Sequence, residues 1–315
     1  MMSRKNISMD QIKIYGNYLK EHKNFSDNTV NAYIKDMQEL IEYIERIYNI
    51  KNLSLVDYKT LRKYIVFLKQ KKYADRTIAR KISSFRIFFK YLIQEGLIRN
   101  NPAEYVQIPK IKKNLPEFLF YEEIVKLIES IKEDKPVIER DKAIIELLYG
   151  TGMRVAELSA LNIEDVTDSI NNPIDLYYDT IKVMGKGSKE RIIPFSKPTK
   201  TAIYYYLRNR GKVPKKDYRN YISDTALFVN CYGERLSPSS IRKLINKYMK
   251  KACLNKKISP HVFRHTFATH LLNGGADLRS VQELLGHESL STTQIYTHIT
   301  KDKLIKTYKK SIPRK

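Results

Sequence analysis

Between Asn28 and Tyr48, apolar side chains recur at Val30, Tyr33, Ile34, Met37, Leu40, Ile41, Ile44 and Ile47. Steps of three and four put them on one face of a helix. The run Asp75–Glu95 repeats the pattern with Ile78, Ile82, Phe85, Phe88, Phe89 and Leu92, and Gly96 offers a C-terminal stop. Helices over Met9–Glu21 and Asp57–Gln70 complete a predicted four-helix set. The periodicity then breaks. "NPAEYVQIPKIKKNLPEF" (Asn101–Phe118) has three prolines, several lysines and no helical repeat. Proline removes donors and biases its predecessor towards extended backbone. We place a helical domain over residues 1–105, a linker over 106–118 and a second domain over 119–315.

The second domain opens with a periodic apolar helix, Val137–Tyr149. A glycine turn and another helix follow in "YGTGMRVAEL" (Tyr149–Leu158). "TIKVMGKGSKERIIPF" (Thr180–Phe195) reads as two strands around a Gly-Lys-Gly-Ser-Lys turn, a hairpin signature. Helices are predicted over Thr199–Asn209, Pro238–Cys253, Pro260–Asn273, Asp277–Leu285 and Ser291–His298. The expected fold class is therefore mainly α with a small antiparallel β-sheet.

Composition narrows the setting. The 315 residues are 42% hydrophobic and 29% charged, which fits globular domains rather than disorder. No apolar run approaches the roughly 20 residues of a membrane span, and the N-terminal stretch lacks a signal-peptide core. Two cysteines, Cys231 and Cys253, make neither a disulfide framework nor a zinc ribbon. A reduced cytoplasm without membrane attachment is expected. The net charge of +24 is carried by both parts of the chain, +10 in residues 1–110 and +14 in the remainder. Nucleic acid is the natural partner for such a surface, although a lysine-rich composition alone accounts for some of the excess. Arg80 and Lys81 in the first domain, and Arg242 and Lys243 in the second, are the candidate DNA contacts.

Chemistry concentrates in "SPHVFRHTFATHLL" (Ser259–Leu272), which holds three of the six histidines. His261 and His265 share the spacing of the zinc motif H-E-x-x-H. Val262 replaces its glutamate, however, and Arg264 adds a fixed positive charge, so an anion suits the stretch better than a metal. With Arg154, Lys186, His287 and Tyr296, His261 and Arg264 supply what metal-free attack on a phosphodiester requires. A tyrosine hydroxyl is the nucleophile, arginines grip the non-bridging oxygens, and a lysine protonates the departing oxygen. Lys182 and Lys189 compete with Lys186 for the last role. Lys186 is preferred because it sits in the Gly-Lys-Gly turn.

These blocks, "GTGMRVAEL", "VMGKGSKERIIPF", "SPHVFRHTFATHLL" and "LLGHESLSTTQIYTHI", resemble the tyrosine recombinases of the lambda-integrase type, and most closely their Xer branch. The likeness runs over nearly the whole chain; the stretch Val166–Asp179 departs from it by its length. The resemblance implies a helical core-binding domain and a catalytic domain that clamp duplex DNA. It implies a 3′-phosphotyrosyl intermediate, a free 5′-hydroxyl and a Holliday junction, with no cofactor, metal or ATP. The expected substrate is double-stranded DNA with paired inverted half-sites. The expected assembly is a homo- or hetero-tetramer on two such sites, with room for a second recombinase or a DNA-translocase activator. Chromosome or plasmid dimer resolution is the leading role; integration of a mobile element and type IB topoisomerase activity are the alternatives. His265 and His270 become structural on this reading. The tail after Tyr296, with apolar Leu304, Ile305, Tyr308 and Ile312, is expected to pack on a neighbouring protomer.

Overall fold

The computed structural model describes residues 9–50, 52–111, 117–132, 136–166, 180–184, 190–212, 223, 225–254, 260–286 and 301–314. Two compact units, Met1–Asn114 and Leu115–Lys315, divide the chain. Among the described residues no helix is long and apolar enough to cross a membrane.

The first unit holds α1 (Met9–Glu21), α2 (Asp27–Tyr48), α3 (Tyr58–Gln70) and α4 (Asp75–Gln94). Local chemistry sets their ends. Ser26 caps α2, Asp57 accepts from the Thr60 N–H at 2.8 Å to cap α3, and Asn49 closes α2 with φ 50°. The apolar stripe of α4 is buried throughout. That of α2 is buried at Val30, Met37, Leu40 and Ile44, but Ile47 near its end lies 51% exposed. A 3-10 turn over Leu53–Leu55, absent from the periodicity reading, buries Leu53 ahead of α3.

Lys81 corrects the sequence reading. It is not a surface cation: its side chain is 2% exposed, and its ammonium donates to Asp36 at 2.9 Å and to Glu39 at 2.6 Å. Arg80 bonds the same Asp36, and Ser84 completes the set at 3.3 Å. A buried charge persists only when paired, and this cluster ties α2 to α4. Lys81 lies three residues after Ile78 and four before Phe85, so the apolar period itself turns it inward. Arg86 is also employed structurally, donating to the carbonyls of Ala103 (3.2 Å) and Val106 (2.8 Å). It thereby binds the start of the proline-rich segment to α4, and Ala103 and Val106 join the first unit's core.

The second unit is built around α6 (Pro136–Thr151), whose residues Ala143–Ile145 and Leu147–Tyr149 are all buried. From Ala143 to Thr151 this helix is buried on every side, so other elements must surround it. Around it pack α5 (Tyr121–Glu129), α7 (Val155–Ala160), α8 (Lys197–Asn209), α9 (Pro238–Lys251) and α10 (Pro260–Asn273). The last two helices are α11 (Leu278–Leu285) and α12 (Lys301–Ser311). Strands β1 (Thr180–Met184) and β2 (Glu190–Pro194) pair antiparallel, Val183 opposite Arg191 and Ile181 opposite Ile193. Ile181, Val183 and Ile193 point into the core. The predicted helix Ser291–His298 falls outside the described residues.

In the single chain the tail, expected to pack on a neighbour, lies against its own unit. Tyr308 and Ile312 of α12 are buried in their own unit. The Tyr308 hydroxyl donates to the Gly150 carbonyl at 2.8 Å, and Arg314 pairs with the buried Glu146 at 2.7 Å. The apolar face seen in the sequence is real; the surface it covers belongs to the same chain.

Candidate active site

Arg154 stands where α6 gives way to α7. The chain leaves Thr151, reverses at Gly152 with φ +61°, and enters α7 with Arg154 as the extended N-cap residue. Glycine is required at the turn on two counts. The left-handed backbone disfavours a side chain, and a Cβ would lie 2.4 Å from the Phe267 ring. Glu157, one turn into α7, reaches back to the Arg154 N–H at 2.7 Å and to its guanidinium at 2.8 Å. That carboxylate is buried, while Arg154 remains 41% exposed and within reach of a ligand.

Arg264 comes from α10. It is buried, and its guanidinium donates to the Gly152 carbonyl at 3.1 Å and the Leu285 carbonyl at 2.5 Å. It therefore ties the turn before Arg154 to the C-terminus of α11. Burial, followed by the neighbouring charges of Arg154 and Arg191, pushes its pKa down to about 10, with Glu157 acting in the opposite sense. It stays cationic at neutral pH in a setting that an added anion would relieve. His261 lies one turn earlier on α10 and is exposed. An i, i+3 pair on a helix shares a face, so His261 and Arg264 are brought to one side.

His265 and His270 sit apart from this cluster. The His265 ring lies edge-on to Phe118 at 6.4 Å. His270 is buried against the Tyr149 hydroxyl, 3.0 Å from Nδ1, and its pKa is lowered chiefly by burial. Both have packing roles. Of the other predicted site residues, Lys186, His287 and Tyr296 lie outside the described residues, as does Lys189. Lys182 is exposed on β1 opposite Ile192. Arg242 and Lys243 are exposed on α9, and Arg80 is partly exposed while held by Asp36.

Two members of the cluster were missed in the sequence. Glu157 and Arg191 form a salt bridge in which Arg191 Nη2 lies 2.7 Å from Oε2 and Nη1 lies 3.1 Å from Oε1. Burial alone would raise the Glu157 pKa; bonds from Arg191 and the Arg154 N–H outweigh it and hold the carboxyl below its ordinary value. Both residues carried a signal. Glu157 occupies the third helical position after an N-cap, where a carboxylate reaches back to the cap N–H. Arg191 has the same strand parity as the buried Ile193, so it points inward and needs an anionic partner.

Comparison with known proteins places the chain in a family. The profile described as "Phage integrase family" matches residues 117–303, and "Phage integrase, N-terminal SAM-like domain" matches residues 12–96. The chain is 42% identical over 311 residues to a protein named tyrosine recombinase XerC from Oceanobacillus iheyensis, covering 97% of this chain and 98% of that one.

The chain belongs to the phage integrase family, as a Xer-type tyrosine recombinase.

A second XerC, from Thermodesulfovibrio yellowstonii, is 43% identical over 297 residues, 94% of each chain. Among solved structures, the XerH site-specific recombinase bound to difH substrate in a pre-cleavage complex aligns with a TM-score of 0.65 at 26% identity. That alignment covers 96% of this chain and 84% of XerH. A tyrosine recombinase cleaves and rejoins DNA, and its site must hold a phosphate in place. Among the described residues the cluster gathers three guanidinium groups around one buried carboxylate, and of the three Arg154 is the most exposed.

Proposed function

We propose that Arg154 and Arg264 hold the scissile phosphate while Tyr296 attacks it. The Tyr296 oxygen bonds to phosphorus, the bond from phosphorus to the 5′-oxygen breaks, and Lys186 supplies the proton that the 5′-oxygen takes up. His261 and His287 complete the set, hydrogen-bonding the phosphate and handling the tyrosine proton. The product is a 3′-phosphotyrosine and a free 5′-hydroxyl. The ester retains the bond energy, so a second 5′-hydroxyl can displace Tyr296 without ATP. The observation that carries this reading is the buried, cationic Arg264 beside the accessible Arg154, a preorganised pair of donors for developing negative charge.

The relatives named XerC support a Xer-like role in resolving chromosome or plasmid dimers, at paired half-sites, by a tetramer containing this chain alone or with a second recombinase. A DNA-translocase activator and a cytoplasmic setting accompany that role. The test is a duplex nicked near the cleavage point, which loses a short fragment on cutting and traps the adduct. Wild type should accumulate the covalent complex, and Tyr296→Phe should bind the half-site with near-normal affinity and form none. An adduct that persists in Tyr296→Phe rejects the assignment.

A further inference from the structure

Arg191 lies on a hairpin strand but reaches two other elements that converge on the cluster. Two of its nitrogens clasp both oxygens of Glu157, and its Nε donates to the Leu284 carbonyl at 3.2 Å. Glu157 in turn bonds both the backbone and the guanidinium of Arg154. Leu284 lies at the end of α11, two residues before Gly286, which closes the helix with φ +65° and directly precedes His287. A Cβ on Gly286 would come within 3.0 Å of the Arg191 side chain, so glycine permits the close approach. Exposure separates the arginines. Arg154 is 41% exposed, whereas Arg191 is 11% exposed and already bonded to a carboxylate and a carbonyl.

We infer that Arg191 is a positioning residue for DNA cleavage: it orients Glu157, which sets the Arg154 guanidinium against the scissile phosphate. This rests on Arg154 gripping that phosphate, as proposed above. The chemistry favours an arginine. A planar fork spans both carboxylate oxygens, while an ammonium is a single point of contact. With the fork gone, Glu157 keeps one cationic partner and is free to rotate with Arg154. A misplacement of about 1 Å in a catalytic group can cost about 10²-fold in rate.

The test uses the full chain and the trapping substrate. Arg191→Gln and Arg191→Lys should each slow single-turnover cleavage by about 10- to 10²-fold, with half-site affinity within about threefold of wild type. In an Glu157→Gln background, adding Arg191→Gln should change the rate less than about threefold, because residues acting through one another are not additive. A bridging 5′-sulfur, which needs no proton on departure, should leave the Arg191 defect in place.

Independent, multiplicative losses in the double variant would overturn the inference, as would a parallel fall in DNA affinity; either makes Arg191 a direct contact. Restoration by sulfur would also overturn it, placing the defect at the Lys186 hairpin. Full activity in Arg191→Lys would reduce the requirement to charge alone and overturn the fork. Should Arg191→Gln fail to fold, the Lys variant and the affinity control decide. Failure of wild type to form any adduct rejects the underlying reading. An adduct in wild type with equal rates in the variants rejects only the role of Arg191.

Discussion

Arg154 and Arg264 have the same side chain and different structural obligations. Arg264 is buried and satisfies two carbonyls, at Gly152 and Leu285; Arg154 is half-exposed, and its carboxylate partner has Arg191 in reserve. Arg264→Ala strands two buried acceptors, at about 1–3 kcal/mol for each group left unsatisfied. It should therefore lower the melting temperature of the second unit by several degrees, at roughly 2–4 °C per kcal/mol for a unit of this size. Arg154→Ala should leave melting close to wild type. Both should reduce single-turnover cleavage by about 10²–10³-fold. Equal melting of the two variants would show that the Arg264 bonds carry no net stability. At this scale the sequence was only partly legible. The four motif blocks exposed the groups assigned to phosphate, but Glu157 and Arg191 stayed hidden because each acts on another protein group. Lys81 was misread for a related reason: a helical face was judged by its charge before its period, and its two carboxylate partners lie over 40 residues away.

Elements were easier to read than side chains. The helices α1 to α4 and α8 to α11 follow apolar periods and capping residues that need no knowledge of the partner surface. The helix α5 passed unnoticed. It is short, and its buried residues Ile124, Leu127 and Ile128 follow closely on the proline-rich segment. The surface covered by α12 could not be read either, since an amphipathic pattern declares a buried face but not what buries it. In the structure that surface includes Gly150 and Gly274. A Cβ on Gly274 would lie 2.1 Å from the Ser311 carbonyl oxygen, whereas one on Gly211 would meet nothing within 4 Å. Overpacking of that kind costs about 1–3 kcal/mol. Gly274→Ala should accordingly lower the melting temperature of the second unit and loosen the end of α12, and Gly211→Ala should not. Identical melting curves for the pair would mean that α12 leaves its seat at no cost.

For the whole molecule, the boundary between the two units falls after Asn114, inside the stretch Asn101–Phe118 where periodicity lapses, and Arg86 draws Ala103 and Val106 into the first unit. The charge of +24 needs closer reading, because a formal charge counts only if DNA can reach it. Lys81 and Arg191 are spent on buried carboxylates, and Arg314 on Glu146. Arg242 and Lys243 are exposed on α9 and remain the candidate DNA contacts of the second unit. Each phosphate neutralised releases condensed counterions, so the logarithm of the binding constant falls with the logarithm of salt concentration by about 0.9 per contact on B-form DNA. If both residues meet phosphate, Arg242→Ala with Lys243→Ala should flatten that slope by about two per bound chain, and by equal amounts on specific and random duplexes. Lys81→Met should weaken folding of the first unit and leave the slope of the folded protein unchanged, since its ammonium is bonded to Asp36 and Glu39. Titrating a half-site duplex from low to moderate salt measures both. A slope unmoved by the α9 pair would place the contacts on other lysines, and a slope flattened by Lys81→Met would require the buried cluster to open when DNA binds.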